Sequence, residues 1–210
     1  MPANALHEFT EQFDVGGRAV GGGAPVFVIA EAGVAHFGDM ELARQLVDLA
    51  ARGGADAFKT QLFDVEELIA AGEAEWRERL RPRNLTFAEA AELKARCDDA
   101  GLVFLATAHD ESRIDWLARL DVAAVKIGSG ERNNPAFVRR LAELGRPMIV
   151  STGMANEADV AEALDAITAA GGREAALLHC VTSYPTPDAY VNLRAMARLR
   201  QMFAGPVGYS

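Results

Sequence analysis

The chain has 210 residues, half of them hydrophobic and 24% charged, which is globular composition and excludes a disordered polymer. Its 21 Lys and Arg against 30 Asp and Glu leave a formal charge of −9, which argues against a nucleic-acid surface. No apolar run reaches the roughly 20 residues that span a bilayer, no signal peptide opens the chain, and two cysteines make no disulfide framework, so the expectation is a cytoplasmic, non-membrane protein.

Residues 1–25 read as an N-terminal extension. Gly16-Gly17 and Gly21-Gly22-Gly23 punctuate a small hairpin within it, and His7 is expected at the surface. Apolar runs of strand length follow at 26–31, 55–59, 102–106, 122–127, 147–151 and 175–180, with a weaker one at 206–209. Helical spacing fills the gaps. Residues 39–52 place Leu42, Leu46, Leu49 and Ala50 on one face. Thr86 to Glu89 is a capping box that opens 86–100. Asn134-Pro135 starts a helix that Gly145 stops, Asn156 caps one that Gly171 ends, and 192–203 form the last. The connection 62–85, with Trp76, is too long for a plain βα turn and reads as a lid or an oligomer contact. Met148, Met154, Met196 and Met202 read as packing, and Cys97 and Cys180 as core.

The runs are near-continuously apolar rather than alternating. Such strands are buried on both faces, as in a parallel sheet covered by helices. The βαβα order gives an α/β fold, either a doubly wound sheet or a (β/α)8 barrel. No linker composition divides 26–210, so one domain is expected there.

The chemistry gathers at the carboxyl ends of the runs, where parallel α/β folds bind ligands. The first run ends in Glu31. The second ends Lys59-Thr60-Gln61 and the third Thr107-Ala108-His109. The fourth holds Lys126 and continues Gly128-Ser129-Gly130-Glu131. The fifth ends in Ser151, the sixth continues to Tyr184, and the last ends at Ser210. Lys59 and Lys126 lie inside apolar strands, where an ammonium needs a partner. One reading pairs each with a buried carboxylate. The other turns both, with Ser151, toward one anionic ligand, aided by Ser129 and the 128–130 turn, whose donors suit a phosphate. Glu31 and Glu131 are the candidate carboxylates for binding sugar hydroxyls, holding a metal-bound water or moving a proton. His36, in the first loop, is equally a loop-orienting residue or a substrate contact.

Taken together, these segments resemble the sialic acid synthases and their legionaminate, pseudaminate and spore-coat relatives. The matching pieces are Val28-Ile29-Ala30-Glu31-Ala32-Gly33 with His36 and Gly38-Asp39, then Lys59-Thr60-Gln61, and Val125-Lys126-Ile127-Gly128-Ser129-Gly130-Glu131 with Asn133-Asn134. Ser151-Thr152-Gly153-Met154, Leu178-His179-Cys180 with Tyr184-Pro185-Thr186-Pro187, and Gly208-Tyr209-Ser210 complete the series. The resemblance implies a (β/α)8 TIM barrel behind the hairpin. It implies condensation of phosphoenolpyruvate with an N-acetylated amino sugar, such as N-acetylmannosamine, to a nine-carbon 2-keto acid with release of phosphate. Carried over by position, Lys59, Lys126, Ser129, Ser151 and Ser210 bind phosphoenolpyruvate. Gln61, Thr107 and Tyr184 serve the sugar, with Glu31 beside them, and Glu131 orders the metal-bound water or is the acid/base. Glu31 and Glu131 are the expected catalytic pair.

Departures fall on the sugar side: Ala35-His36-Phe37-Gly38 replaces Asn-His-Asn-Gly, and Thr182 stands where asparagine is common. The family's metal-ligand histidines, for manganese or magnesium, follow the Gly-Tyr-Ser segment. The chain is therefore expected to lack them, the eighth strand–helix unit and the antifreeze-like domain, and to turn over nothing by itself. A homodimer is the family expectation. The competing readings are a related 3-deoxy-2-keto sugar acid synthase and a non-catalytic anion-binding barrel.

Overall fold

The structure, a computed structural model, describes residues 9–210, and His7 lies outside the described residues. The chain opens with β1 (Gln12–Val15) and β2 (Arg18–Gly21), an antiparallel hairpin in the register Gln12↔Gly21 to Val15↔Arg18. Gly16 and Gly17 turn it at φ 62° and 84°, the left-handed pair that a tight hairpin asks for. Strands and helices then alternate: β3 (Ile29–Gly33), α1 (Met40–Arg52), β4 (Ala57–Leu62), α2 (Val65–Leu68), α3 (Ala74–Leu80), α4 (Phe87–Asp99), β5 (Val103–Ala108) and α5 (Ile114–Arg119). They continue as β6 (Val125–Ile127), α6 (Pro135–Ala142), β7 (Met148–Ser151), α7 (Glu157–Ala169), β8 (Ala175–His179), α8 (Arg194–Met202) and β9 (Val207–Tyr209). The long connection is built rather than bare: it carries α2 and α3, and the Arg77 guanidinium ties them by donating to the Ile69 carbonyl at 2.7 and 3.0 Å.

The chain forms two compact units, residues 27–123 and residues 124–210 with the N-terminal stretch to Val26. In the first, β3, β4 and β5 are parallel, with Ile29 beside Ala57 and Ala57 beside Val103. β4 and β5 are buried along nearly their whole length, as continuous apolar runs require. Helix α1 turns a different stripe inward from the one expected. Ala43, Val47 and Ala50 are buried, while Leu49 is 57% exposed. Asp39 caps Glu41 and Leu42 and so sets the helix start, and small residues at i, i+4 and i+7 form the face that packs. Helix α4 has the expected capping box and buries Ala90, Leu93 and Cys97. Burial pushes the Cys97 thiol up to about 12, so it is a core residue and not a nucleophile at neutral pH.

In the second unit β6, β7, β8 and β9 are parallel, with Val125 beside Met148, Met148 beside Ala175 and Leu177 beside Val207. Helix α7 covers them with Val160, Ala161, Ala163, Leu164 and Ile167, behind a capping box between Asn156 and Asp159. The hairpin belongs to this unit. The Phe9 ring meets Phe203 at 5.2 Å, and the Thr10 amide donates to the Arg173 carbonyl. Met148 is buried as expected. Met154 is 70% exposed, because it sits on the loop past β7 in left-handed backbone at φ 60° rather than in a packed element.

Gly38 marks a close approach in the first unit. Its φ is +88°, and a Cβ there would run into the Pro82 backbone carbonyl. Gly38→Ala is expected to lower stability by at least about 1–2 kcal/mol from the left-handed backbone alone. Urea unfolding checks this, and an unchanged midpoint would contradict the close approach.

Candidate functional site

Strand alternation and register decide which side chains meet. In the first unit Glu31 lies directly beside Lys59, and Gln61 beside Thr107. Lys59 and Gln61 are two apart on β4 and share a face. Glu31, Lys59, Gln61 and Thr107 therefore form one polar row on a parallel sheet. Lys59 is 4% exposed, and its ammonium forms an ion pair with the Glu31 carboxylate, whose side chain is half exposed. Lys59 thus has a carboxylate partner, a half-exposed one rather than the buried carboxylate of the packing reading. Glu31 carries the charge that makes burial of the lysine tolerable. Gly33 leaves room between them: a Cβ there would lie 3.4 Å from Glu31 and 3.8 Å from Gln61. Thr107 is buried, and Gln61 is partly open.

In the second unit Lys126 lies beside Ile149, and Ser151 is two residues further along the same face of β7. The Lys126 ammonium donates to Ser151 Oγ at 2.6 Å and to the Ile127 carbonyl at 2.7 Å, and both residues are buried. Leu178 pairs with Ser151 and with Gly208, so Ser210, two past Gly208, continues that row. Its amide donates to the His179 carbonyl at 2.9 Å. Ser129 sits just past β6. Its Oγ accepts from the Gly153 amide at 3.1 Å and lies 3.4 Å from Cys180 Sγ. That amide also donates to Cys180 Sγ at 3.1 Å. A Cβ on Gly153 would meet Ser129 Oγ and Thr182 Oγ1 at 2.6 Å, so a side chain there would displace both hydroxyls. Cys180 is therefore a part of the serine cluster that reading it as core passed over. Its place directly after β8 was the available signal.

Glu131 stands in a one-turn 3-10 segment, Glu131–Asn133, with one carboxylate oxygen enclosed against Gly128. Tyr184 is 90% exposed on the loop after β8. His179 holds that loop, its Nε2 lying 2.8 Å from the Val191 carbonyl. His36 is 1% exposed, and its Nδ1 accepts from the Gly38 amide at 3.1 Å, so the ring orients the first loop. Among the described residues no group of three or more His, Cys, Asp or Glu could hold a metal ion. Nor is any described helix long and apolar enough to cross a membrane.

Residues 46–210 match the NeuB family. The chain is similar to the N,N'-diacetyllegionaminic acid synthase of Legionella pneumophila, 38% identical over 88% of this chain and 56% of that protein. It is similar to the spore coat polysaccharide biosynthesis protein SpsE of Bacillus subtilis, 35% identical over 94% of this chain and 56% of that protein. Among solved structures, the N-acetylneuraminic acid synthetase of Leptospira borgpetersenii, in complex with citrate, superposes with a TM-score of 0.91. It is 32% identical and covers 97% of this chain and 70% of that one. The chain spans a little over half the length of the curated relatives it matches. The structural likeness gives it the (β/α)8 barrel class expected from sequence, with seven strands among the described residues beside the hairpin.

Burial holds the His36 pKa below its ordinary value of 6.5; Glu89 opposes that shift and Arg83 adds to it. The folded ring then binds fewer protons than the unfolded one in the window below 6.5, so stability is lost as pH falls through it. The urea midpoint is expected to drop between pH 7 and pH 5, and to drop less in His36→Gln. Identical slopes for the two proteins would rule out this assignment.

Proposed function

This chain belongs to the NeuB family, and from that footing we propose that it serves the condensation of phosphoenolpyruvate with an N-acylated amino sugar to a nine-carbon 2-keto acid. The observation that carries the reading is the Lys126–Ser151 pair, a buried ammonium and hydroxyl at the end of adjacent parallel strands. With Ser129, the glycine-rich turn and Ser210 close by in the sequence of strand ends, this chemistry suits a phosphate or a carboxylate. In an acidic chain of charge −9, such a pocket selects a small anion rather than a polymer.

The roles follow from the side chains. Lys126, Ser129, Ser151 and Ser210 bind phosphoenolpyruvate, and Lys59 adds a second cation. Glu31, oriented by its ion pair with Lys59, accepts from sugar hydroxyls, and Gln61, Thr107 and Tyr184 complete the sugar contacts. C3 of phosphoenolpyruvate forms a bond to the aldehyde carbon of the open-chain sugar, whose oxygen takes a proton and becomes a hydroxyl. Water adds at C2, and phosphate leaves with its bridging oxygen, which leaves the 2-keto group. Glu131 moves the proton, taking it from that water or giving it to the aldehyde oxygen. The divalent manganese or magnesium expected of the family has no three-ligand set among the described residues, and no step here runs through it. A cytoplasmic homodimer belongs to the same reading.

The test is phosphate release from phosphoenolpyruvate with N-acetylmannosamine and manganese, for the chain alone and fused to the C-terminal part of the Legionella relative. Release is expected in the fused form. Glu131→Gln should slow it by about 10²–10⁴-fold without abolishing phosphoenolpyruvate binding. Lys126→Met should abolish that binding in calorimetry. If no acylated amino sugar supports release, the reaction assigned here is wrong.

A further inference from the structure

Arg132 is the residue that neither the fold nor the proposed chemistry uses. It lies in the 3-10 turn Glu131–Asn133, directly after Gly128-Ser129-Gly130, and is 5% exposed. Among the described residues its side chain makes no hydrogen bond and no ion pair, and its Nε is fully enclosed without an acceptor. The other buried cations have side-chain partners, although Arg113 Nε is likewise enclosed without an acceptor. Lys59 meets Glu31, and Lys126 meets Ser151 and a carbonyl. Arg113 donates to Ser112 Oγ at 2.6 Å, approaches Asp64 at 3.4 Å and stacks 4.2 Å over the Trp116 ring.

A guanidinium cannot shed its proton to escape the cost of burial, as a lysine can. The stem and Nε of Arg132 are enclosed, and the 5% that stays exposed leaves the two Nη groups at the edge of that enclosure. The elements packed on this turn are α6 and α7. The acids that open α7 are engaged elsewhere: Glu157 holds Arg198 at 2.5 and 2.8 Å, and Asp159 accepts from the Asn156 amide at 2.9 Å. Glu143, just past α6, is with Arg139. These three acids are engaged elsewhere, which leaves the Nη groups of Arg132 able to meet an anion from outside the protein. The place is the carboxyl end of β6, where parallel α/β folds take their ligands.

We propose that Arg132 is an anion-binding residue whose guanidinium fork receives a phosphate or carboxylate group of a substrate. The identity of that substrate rests on the reaction proposed above; the need for an oxyanion does not. The fork presents parallel donors that match two oxygens of one such group. An arginine withdrawn this far without a partner also lowers the stability of the ligand-free chain, which a residue kept for packing would not do.

The experiment compares Arg132→Met with the parent. Thermal midpoints are read without ligand, and affinities by calorimetry with phosphoenolpyruvate, inorganic phosphate and N-acetylmannosamine 6-phosphate. The expected result is an affinity lower by tenfold or more for at least one of them, with a ligand-free midpoint that is unchanged or raised. Loss for phosphoenolpyruvate and phosphate places the enolic substrate on Arg132, and loss confined to the sugar phosphate places the sugar there. Affinities within twofold of the parent overturn the proposal, as does a parent that binds none of the three. A parent that binds phosphate but not phosphoenolpyruvate sinks the reaction and leaves Arg132 to be judged on phosphate. If the methionine variant does not fold, Arg132→Lys decides. It keeps the charge and loses the fork, so weaker binding at an unchanged midpoint supports the role. Unchanged binding overturns it.

Discussion

Putting a positive charge inside an apolar parallel strand is the constraint around which each unit is arranged. Lys59 and Lys126 sit in β4 and β6, where water is excluded and an ammonium must find partners. Parallel pairing supplies them, because residues in register on neighbouring strands share a face. Lys59 finds the Glu31 carboxylate in register beside it on β3. Lys126 finds the Ser151 hydroxyl on β7 and its own strand-end carbonyl. The first arrangement joins a cation to a carboxylate, and the second gives a cation hydroxyl and carbonyl oxygen among its partners. Rows of polar groups at strand ends follow from that need for partners.

The turns then have to come close to these rows. Gly153 packs so tightly under Ser129 and Thr182 that a Cβ would displace both hydroxyls, and its amide serves both Ser129 and Cys180. Gly128 has the Glu131 carboxylate against it. Helix caps fix where each chain segment leaves these turns: Asn134 for α6, and Asn156 with Asp159 for α7. The cap residues and the close glycines thus set the position of the serines at the strand ends. Reading Cys180 as plain core missed this, because a small thiol in an apolar strand looks the same in either role.

Much of this was legible in the amino-acid order. Seven apolar runs became seven parallel strands, displaced by one to three residues, and the hairpin formed where the glycines put it. These are local effects: backbone burial on both faces demands apolar runs, and left-handed turns demand glycine. The buried stripe of α1 was not legible. Of the expected face only Ala50 is buried, and Ala43 and Val47 take the places expected for the leucines. Nor could the long 62–85 segment be resolved, because α2 and α3 are held by Arg77 reaching back eight residues to a carbonyl.

The sequence by itself determined the α/β order, the caps, and the strand ends that carry lysine, serine and glutamate, since these depend on side chains next to one another in the chain. Only the tertiary structure decided that Lys59 is paired with Glu31, that His36 orients a loop, that Cys180 joins the serine cluster, and that Arg132 is enclosed without a partner among the described residues. Most of these outcomes join residues 28 or 51 apart or depend on burial from several sides. Register and packing set such neighbours. A linear order of residues specifies what each group needs, and the folded sheet specifies what it meets.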